Sequence, residues 1–436
     1  MCSSIDPVTI GDELHGIITD LFPIPRSITG AGVRETLRRV SETIPLEVHE
    51  VPSGTRVLDW TVPPEWSVRE AWIRGPDGQP VVNLADSFLH LVSYSEPVRR
   101  TMSLRELRPH LFSLPDRPAW TPYRTSYYER NWGFCLPHDR LASLVDGEYE
   151  VCVDSTLDPS GSLTYGEAVI NGAATAGEVL ISTHVCHPSL ANDNLSGIAI
   201  AMLLGRQLLS VDSDDLRYTY RFLFIPGTIG SITWLDRNAD HLDTIRHGLV
   251  LTGLGDEGAI TYKRSRRGDA TIDRATEHVL GCAEEAFTVV DFSPYGYDER
   301  QFGSPGFDLP VGRISRTPHG EYPEYHTSAD DLDFVSPRAL GRAFATIMSV
   351  LEVLEGDDRY VNLNPRGEPQ LGRRGLYRAT GGDVDRASAE MALLWVLNLS
   401  DGTHSLLDIA TRSGLRFTIV RDAARLLAAH DLLALQ

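Results

Sequence analysis

Apolar residues recur at three- and four-residue spacing over residues 10–42, interrupted by Pro23, Pro25 and Gly30, which predicts two helices separated by a turn. Over residues 46–137 the period changes to two. VLDWTVP, VREAWIR and PVVNLAD alternate apolar and polar positions between Pro-Glu and Gly-Pro-Asp-Gly turns, as short strands do. This stretch is rich in aromatics and ends in PYRTSYYERNWGF, so a small β-rich insert is expected.

Beyond it the pattern is α/β. YEVCVDSTL and GSLTYGEAVI read as strands, and GEVLISTHVCH is an apolar strand running into polar residues. An amphipathic helix is expected over 194–209, then the buried strands YTYRFLFIPG and HGLVLTGLGD, with helices over 270–287 and 338–354. Strands alternating with helices predict a largely parallel sheet covered on both faces, whose sites form just past the C-terminal strand ends. Residues 360–380 are rich in Gly, Arg and Pro and read as a linker. The remainder predicts three short helices and a terminal strand, and SLLDIATRSGL followed by TIVRDAARLLAAHDLL has the cadence of a winged helix. From Asp385 onward five arginines face six acids. A phosphate-binding face needs a basic excess, so packing, or docking of a protein partner or second copy, is expected there rather than nucleic-acid binding.

Candidate chemistry gathers after the apolar strands. The segment from Ile181 to Gly197 carries His184, Cys186, His187 and Asp193, residue types that ligate Zn²⁺. Asn192, Asp193, Asn194 and Ser196 are also helix-capping types, but capping does not account for the two histidines upstream. A second polar segment holds His319, Glu321, Glu324, His326, Ser328, Asp330 and Asp331, broken by Pro and Gly into a loop. Asp256 and Glu257 end a strand, and could ligate or simply form a turn. Asp298, Glu299 and Arg300 could serve a site or a structural ion pair. Cys186 could be a ligand, a nucleophile or a buried inert thiol.

HVCHPSLANDNLSG followed by YHTSADDLD is similar to the zinc aminopeptidases of the M28 family. Residues 8–355 as a whole resemble the DUF4910 aminopeptidase-like family with an inserted DUF2172 domain, through HVCHPS, ANDN-SG, TSYY, WGFC, DERQF-SPGF and GEYPEYHTSADDLDF. The resemblance implies a three-layer α/β fold of the zinc-aminopeptidase (phosphorylase/hydrolase-like) type with a mixed sheet. It divides the chain into an α/β domain (1–45 and 138–358), a β-rich insert (46–137), a linker (359–384) and a winged helix (385–436). It implies His184 as a zinc histidine, Asp193 as the metal-bridging aspartate and His326 as the late histidine, with Asp256 matched loosely to a strand-end aspartate. His187 has no counterpart in the M28 family and is expected as an additional ligand from its own position. Two departures stand out. Cys186 replaces the aspartate of H-x-D, and FIPGTIGS, with Gly227, stands where an adjacent Glu-Glu pair is usual. A single Zn²⁺ per chain is therefore expected, with a base drawn from Glu321, Glu324, Asp298 or Glu299. Tyr123, Arg124, Tyr127, Tyr128, Trp132 and Arg300 are expected to bind substrate. The expected function is a zinc-dependent, aminopeptidase-like enzyme acting on an amide bond of a small peptide-like or amino-acid-conjugated metabolite, by hydrolysis, amide transfer or cyclisation. The alternative is a catalytically degenerate scaffold in a biosynthetic pathway.

Composition narrows this further. The 436 residues carry a formal charge of −20, which disfavours polyanionic partners such as nucleic acid or an anionic membrane surface. No apolar window reaches membrane-spanning length, the N-terminus lacks a secretory pattern, and the 5 cysteines are widely spaced, so a reducing cytoplasm is expected. Lys263 is the single lysine, so phosphate-loop chemistry is excluded and a pyridoxal Schiff base has one conceivable anchor.

Overall fold

The computed structural model describes residues 6–173, 176–376 and 386–436. The strands of the large sheet are β1 (Glu47–Pro52), β2 (Ser162–Ile170), β3 (Glu178–His184), β4 (Thr219–Ile225), β5 (Ile245–Leu251), β6 (Ile260–Lys263), β7 (Phe287–Val290) and β8 (Val311–Ser315). Their spatial order is β1-β2-β4-β3-β5-β8-β6-β7. The four central strands β4, β3, β5 and β8 are parallel, while β1, β2 and β6 join antiparallel, so the sheet is mixed. Side chains of the central strands alternate between two cores. Ile181, Phe222, Phe224, Leu249 and Leu251 enter one, and Leu180, Leu223, Ile225 and Val250 the other. Burial on both faces explains why these strands read as continuous apolar runs.

The first core is closed by helices α1 (Pro7–Leu21), α2 (Ser196–Leu209) and α3 (Pro337–Gly356). The amphipathic pattern expected for α2 gives way to a helix buried on nearly every side. Glycine lets α1 and α3 approach closely: a Cβ on Gly11 would lie 2.0 Å from the Pro337 carbonyl oxygen, and one on Gly341 would lie 1.9 Å from that of Pro7. The helix expected over 270–287 stops at Gly281, and the chain re-enters the sheet as β7.

The second core is shared with the insert, whose antiparallel sheet has the order Pro80–Asn83, Glu65–Arg74, Glu148–Asp158, Val98–Ser103. Two expected boundaries shift here. Residues 47–52 pair with β2 in the large sheet, whereas Glu148–Asp158 carries the centre of the insert sheet instead of the α/β domain. Alternation alone could not reveal either, because it does not encode the partner strand.

At the C-terminal end, Arg359–Asn362 lies within the expected linker yet forms the middle strand of a three-stranded sheet with Asp401–Ser405 and Leu433–Leu435. Residues 377–384 of that linker lie outside the described residues. Helices Arg386–Leu399, Leu406–Ser413 and Phe417–Ala428 complete a winged helix. Phe417, Val420, Ala424 and Leu427 join the same core as Leu351 of α3, and Arg421 pairs with Glu352 at 2.7 Å. Thr418, Asp422 and Arg425 remain exposed on the last of these helices. None of the helices among the described residues is long and apolar enough to cross a membrane.

Candidate metal centre

His184 is the last residue of β3, at the C-terminal edge of the sheet's parallel centre, and is 1% exposed. The polar run that follows does not cap α2, which has no side-chain N-cap. It ties the loop down instead. Asn194 Nδ2 donates to Thr183 Oγ1 at 2.7 Å, Ser196 Oγ donates to the Asn192 carbonyl at 2.6 Å, and the Gly255 N–H donates to Asn192 Oδ1 at 2.7 Å. From the far loop, buried Asp330 accepts the N–H groups of Asn192 and Asp193 at 2.6 and 3.0 Å. Burial raises the Asp330 carboxyl well above the usual range, against the pull of those hydrogen bonds. Asp330 thus orients Asp193 from behind.

Four donors converge on Asp193. Its Oδ1 lies 3.0 Å from His184 Nε2 and accepts from the Tyr297 hydroxyl at 2.9 Å. Its Oδ2 lies 3.4 Å from His187 Nδ1 and 3.0 Å from His326 Nε2. Burial pushes the Asp193 carboxyl up, but the neighbouring His187 and His184 hold it well below its ordinary range, so it is an anion. One ligand atom each from His184, His187 and Asp193 falls within 4.8 Å of the others. Asp193 Oδ2 and His326 Nε2 are both buried, yet neither makes a well-directed hydrogen bond. Imidazole nitrogens gathered around an anionic oxygen, with Asp193 Oδ2 and His326 Nε2 left unpartnered, fit a divalent cation of the zinc type.

His326 arrives in the left-handed region, with φ 54°. The insert pins its loop: the Tyr123 N–H donates to the His326 carbonyl at 2.7 Å, and the Ser328 N–H donates to the Thr121 carbonyl at 2.8 Å. Thr121 N–H returns a hydrogen bond to Ser328 Oγ at 3.0 Å. Beside this junction a cleft of about 730 Å³ runs between residues 114–124 and 320–327, with Tyr123, Arg124, Glu321, Tyr325 and His326 in its walls.

Several expected site residues lie elsewhere. Asp256 is saturated by Thr317 Oγ1 (2.6 Å), Gly258 N–H (2.8 Å) and Asn192 Nδ2 (3.1 Å), and braces the loop instead of joining the histidines. Glu299 is fully buried against Lys263, its Oε1 2.9 Å from Nζ, and Lys263 also donates to the Ser293 and Tyr295 carbonyls. This pair removes Glu299 as a base and Lys263 as a cofactor anchor. Glu321 lies in the cleft wall but is exposed, and Glu324 is absent from the cleft walls. Tyr128 packs against Trp60, and Trp132 stacks on His110 at 3.7 Å within the insert, so neither walls the site. Tyr127 lies behind Tyr123, hydroxyl to hydroxyl at 3.1 Å, and Arg300 is half-buried beside Asp298. Cys186 is a buried thiol pushed up to about 12 by burial and stays out of the ligand cluster.

Asp298 is the acid that the site retains. Its Oδ1 accepts from Ser231 Oγ at 2.7 Å, and its Oδ2 is buried without a hydrogen-bond partner. A Cβ built on Gly227 would stand 3.4 Å from that oxygen and 3.3 Å from His184 Cβ. Asp298 therefore occupies the space beside the position from which the Glu-Glu pair is missing. Tyr297, Asp330, Tyr325 and His319 also surround the site. In the sequence, His319 and Asp330 stand among the candidate polar residues around His326 without a role assigned to either, and Tyr297 and Tyr325 are not singled out.

The chain is similar to known proteins in sequence and fold. A family described as a domain of unknown function, DUF4910, matches residues 15–357, and a winged helix-turn-helix family matches residues 358–435. A Clostridium acetobutylicum protein, named as a candidate polysaccharide biosynthesis protein with an aminopeptidase-like domain, is 48% identical over 98% of this chain and 96% of its own length. A crystal structure of a candidate peptidase from C. acetobutylicum superposes with TM-score 0.93 at 46% identity, over 99% of this chain and 97% of that one. The fold is also that of a zinc aminopeptidase from Bacillus subtilis (TM-score 0.58, 12% identity, 79% of this chain and 94% of that one). It is shared too by an M28 peptidase precursor from Shewanella amazonensis (TM-score 0.54, 14% identity, 80% of this chain and 96% of that one). The chain is thus an α/β protein that shares its fold with M28 zinc aminopeptidases and carries a C-terminal winged helix, and it belongs to the DUF4910 family.

Proposed function

We propose that this protein is a metal-dependent enzyme acting on an amide bond of a small peptide-like or amino-acid-conjugated metabolite, with a single Zn²⁺ held by His184, His187, Asp193 and His326. The observation that carries this reading is the convergence of three imidazoles on one buried aspartate whose Oδ2 makes no directed hydrogen bond. When bound there, zinc supplies Lewis acidity toward an amide carbonyl and toward water.

The chain's own groups do the rest. The cleft between the insert and the His326 loop admits the substrate, with Tyr123 and Arg124 on one wall and Tyr325 on the other. Tyr297 and Asp330 hold Asp193 in place. Asp298 Oδ2 takes the proton of the attacking water and returns it to the departing amine, while Ser231 fixes the other carboxyl oxygen. Burial raises the Asp298 carboxyl to about 7, a range suited to both duties. The free cysteines Cys135, Cys152, Cys186 and Cys282 support a reducing, cytoplasmic setting. The name of the C. acetobutylicum relative supports a biosynthetic role. The winged helix, packed on α3 with a nearly neutral exposed face, supports a packing or partner-docking module over a nucleic-acid reader.

The test is metal content by mass spectrometry on zinc-loaded, tag-free protein, followed by a screen of aminoacyl p-nitroanilides. About one zinc per chain and chelator-sensitive amide cleavage are expected. A chain that takes up no zinc overturns the reading and leaves a binding scaffold.

A further inference from the structure

His319 lies outside the metal cluster and has no part in the mechanism above. It sits seven residues before His326 in the same loop, half-buried, with Tyr297 edge-on to its ring at 4.8 Å. The two rings line a buried void of about 10 Å³ together with Asp193, Thr252, Arg313, Ser315, Thr317 and Tyr322. That space holds about one water, or one oxygen atom of a larger molecule.

The partner on Nδ1 decides what the ring's remaining nitrogen can offer. Arg313 Nη1 lies 3.0 Å from His319 Nδ1. A guanidinium has only donors and keeps its charge, so His319 Nδ1 must accept, and the ring proton must reside on Nε2. Arg313 cannot swing away. It is 4% exposed on β8, and its Nη1 lies 3.9 Å from Glu299 Oε1, which also holds Lys263. A ring with Nδ1 so engaged and Nε2 protonated has no lone pair for a metal, which accounts for its exclusion from the ligand set. Burial and the charge of Arg313 push the imidazolium down to about 4, so the ring is neutral across the physiological range.

We propose that His319 is a further catalytic residue, whose Nε2–H donates to the substrate carbonyl oxygen as negative charge develops on it. This rests on the amide reading above. A neutral imidazole suits the task because it donates a hydrogen bond without carrying a charge that would repel the metal. Arg313 is the positioning residue, acting through the tautomer it imposes.

The test uses zinc-loaded full-length protein carrying ¹⁵N-histidine, with the His319 signals identified by their loss in His319→Gln. At pH 7 the ring is expected to be the Nε2–H tautomer, and Arg313→Met is expected to give mixed tautomers. Acetohydroxamate, a carbonyl-bearing amide mimic, is expected to shift the His326 and His319 signals together. With an aminoacyl p-nitroanilide, His319→Phe is expected to lower kcat by about 10²–10³-fold at unchanged zinc content, the usual effect of deleting an oxyanion donor, with partial recovery in His319→Gln. An Nδ1–H tautomer, an imidazolium at pH 7, or acetohydroxamate that moves His326 but not His319 overturns the role of His319 alone. Acetohydroxamate that moves neither ring overturns the amide reading and this role with it.

Discussion

Asp193→Asn is expected to empty the metal centre, with zinc affinity falling by more than about 100-fold, beyond what loss of a supporting partner alone costs. The substitution keeps the shape of the side chain, so the backbone N–H groups of residues 192 and 193 still donate to Asp330. What it removes is the anion against which His184, His187 and His326 are arranged. A ligand must present a lone pair, and a buried cation also needs negative charge somewhere in its ligand set; a carboxamide supplies the first weakly and the second not at all. Competition against a chelator of known affinity measures the change. Wild-type zinc retention in the variant would take Asp193 out of the ligand set.

The second large effect is expected at Asp298, where the conservative change to asparagine leaves zinc in place and lowers amide turnover by about 10²–10⁴-fold, the usual contribution of a general base. In the wild type the rate is expected to rise with pH through about 7, as the carboxyl loses its proton, and the variant is expected to lose that limb. Stability gives an independent readout in metal-free protein. The folded carboxyl keeps its proton up to about 7, whereas in the unfolded chain it is lost near ~3.9, so the folded state binds more protons in between. Folding stability from this group therefore falls as pH rises from about 4 to about 7, and Asp298→Asn is expected to flatten that slope. Unfolding titrations at several pH values check it. An unchanged slope together with unchanged turnover would remove Asp298 from both roles.

Much of this site is legible in the amino-acid sequence. His184, His187, Asp193 and His326 stand in polar segments past apolar strands, and the parallel centre of the sheet brings both segments to one edge. Asp256 shows where that reasoning stops. A strand-end acid has the same local pattern whether it faces a metal or, as here, Thr317 and Gly258. The aromatic string reads as a pocket wall, but its members point to different places: Tyr123 toward the histidines, Trp132 into a stack with His110. The identities of those residues are plain, yet their destinations depend on the path of the insert, which local patterning does not encode. The same limit applies to Glu148–Asp158, whose alternation is real but whose partners lie in the insert.

Lys263 carries a consequence for how this protein can be handled. The chain has one lysine side chain, and it is buried, committed to Glu299 and to two carbonyls. Acylating reagents, amine-coupled surfaces and dialdehyde cross-linkers therefore meet no reactive ε-amine on the folded surface, and lysine acetylation has no accessible target there. Uptake of an amine-directed label at Lys263 would instead report that the pocket around Glu299 had opened, making a silent residue into a probe of unfolding.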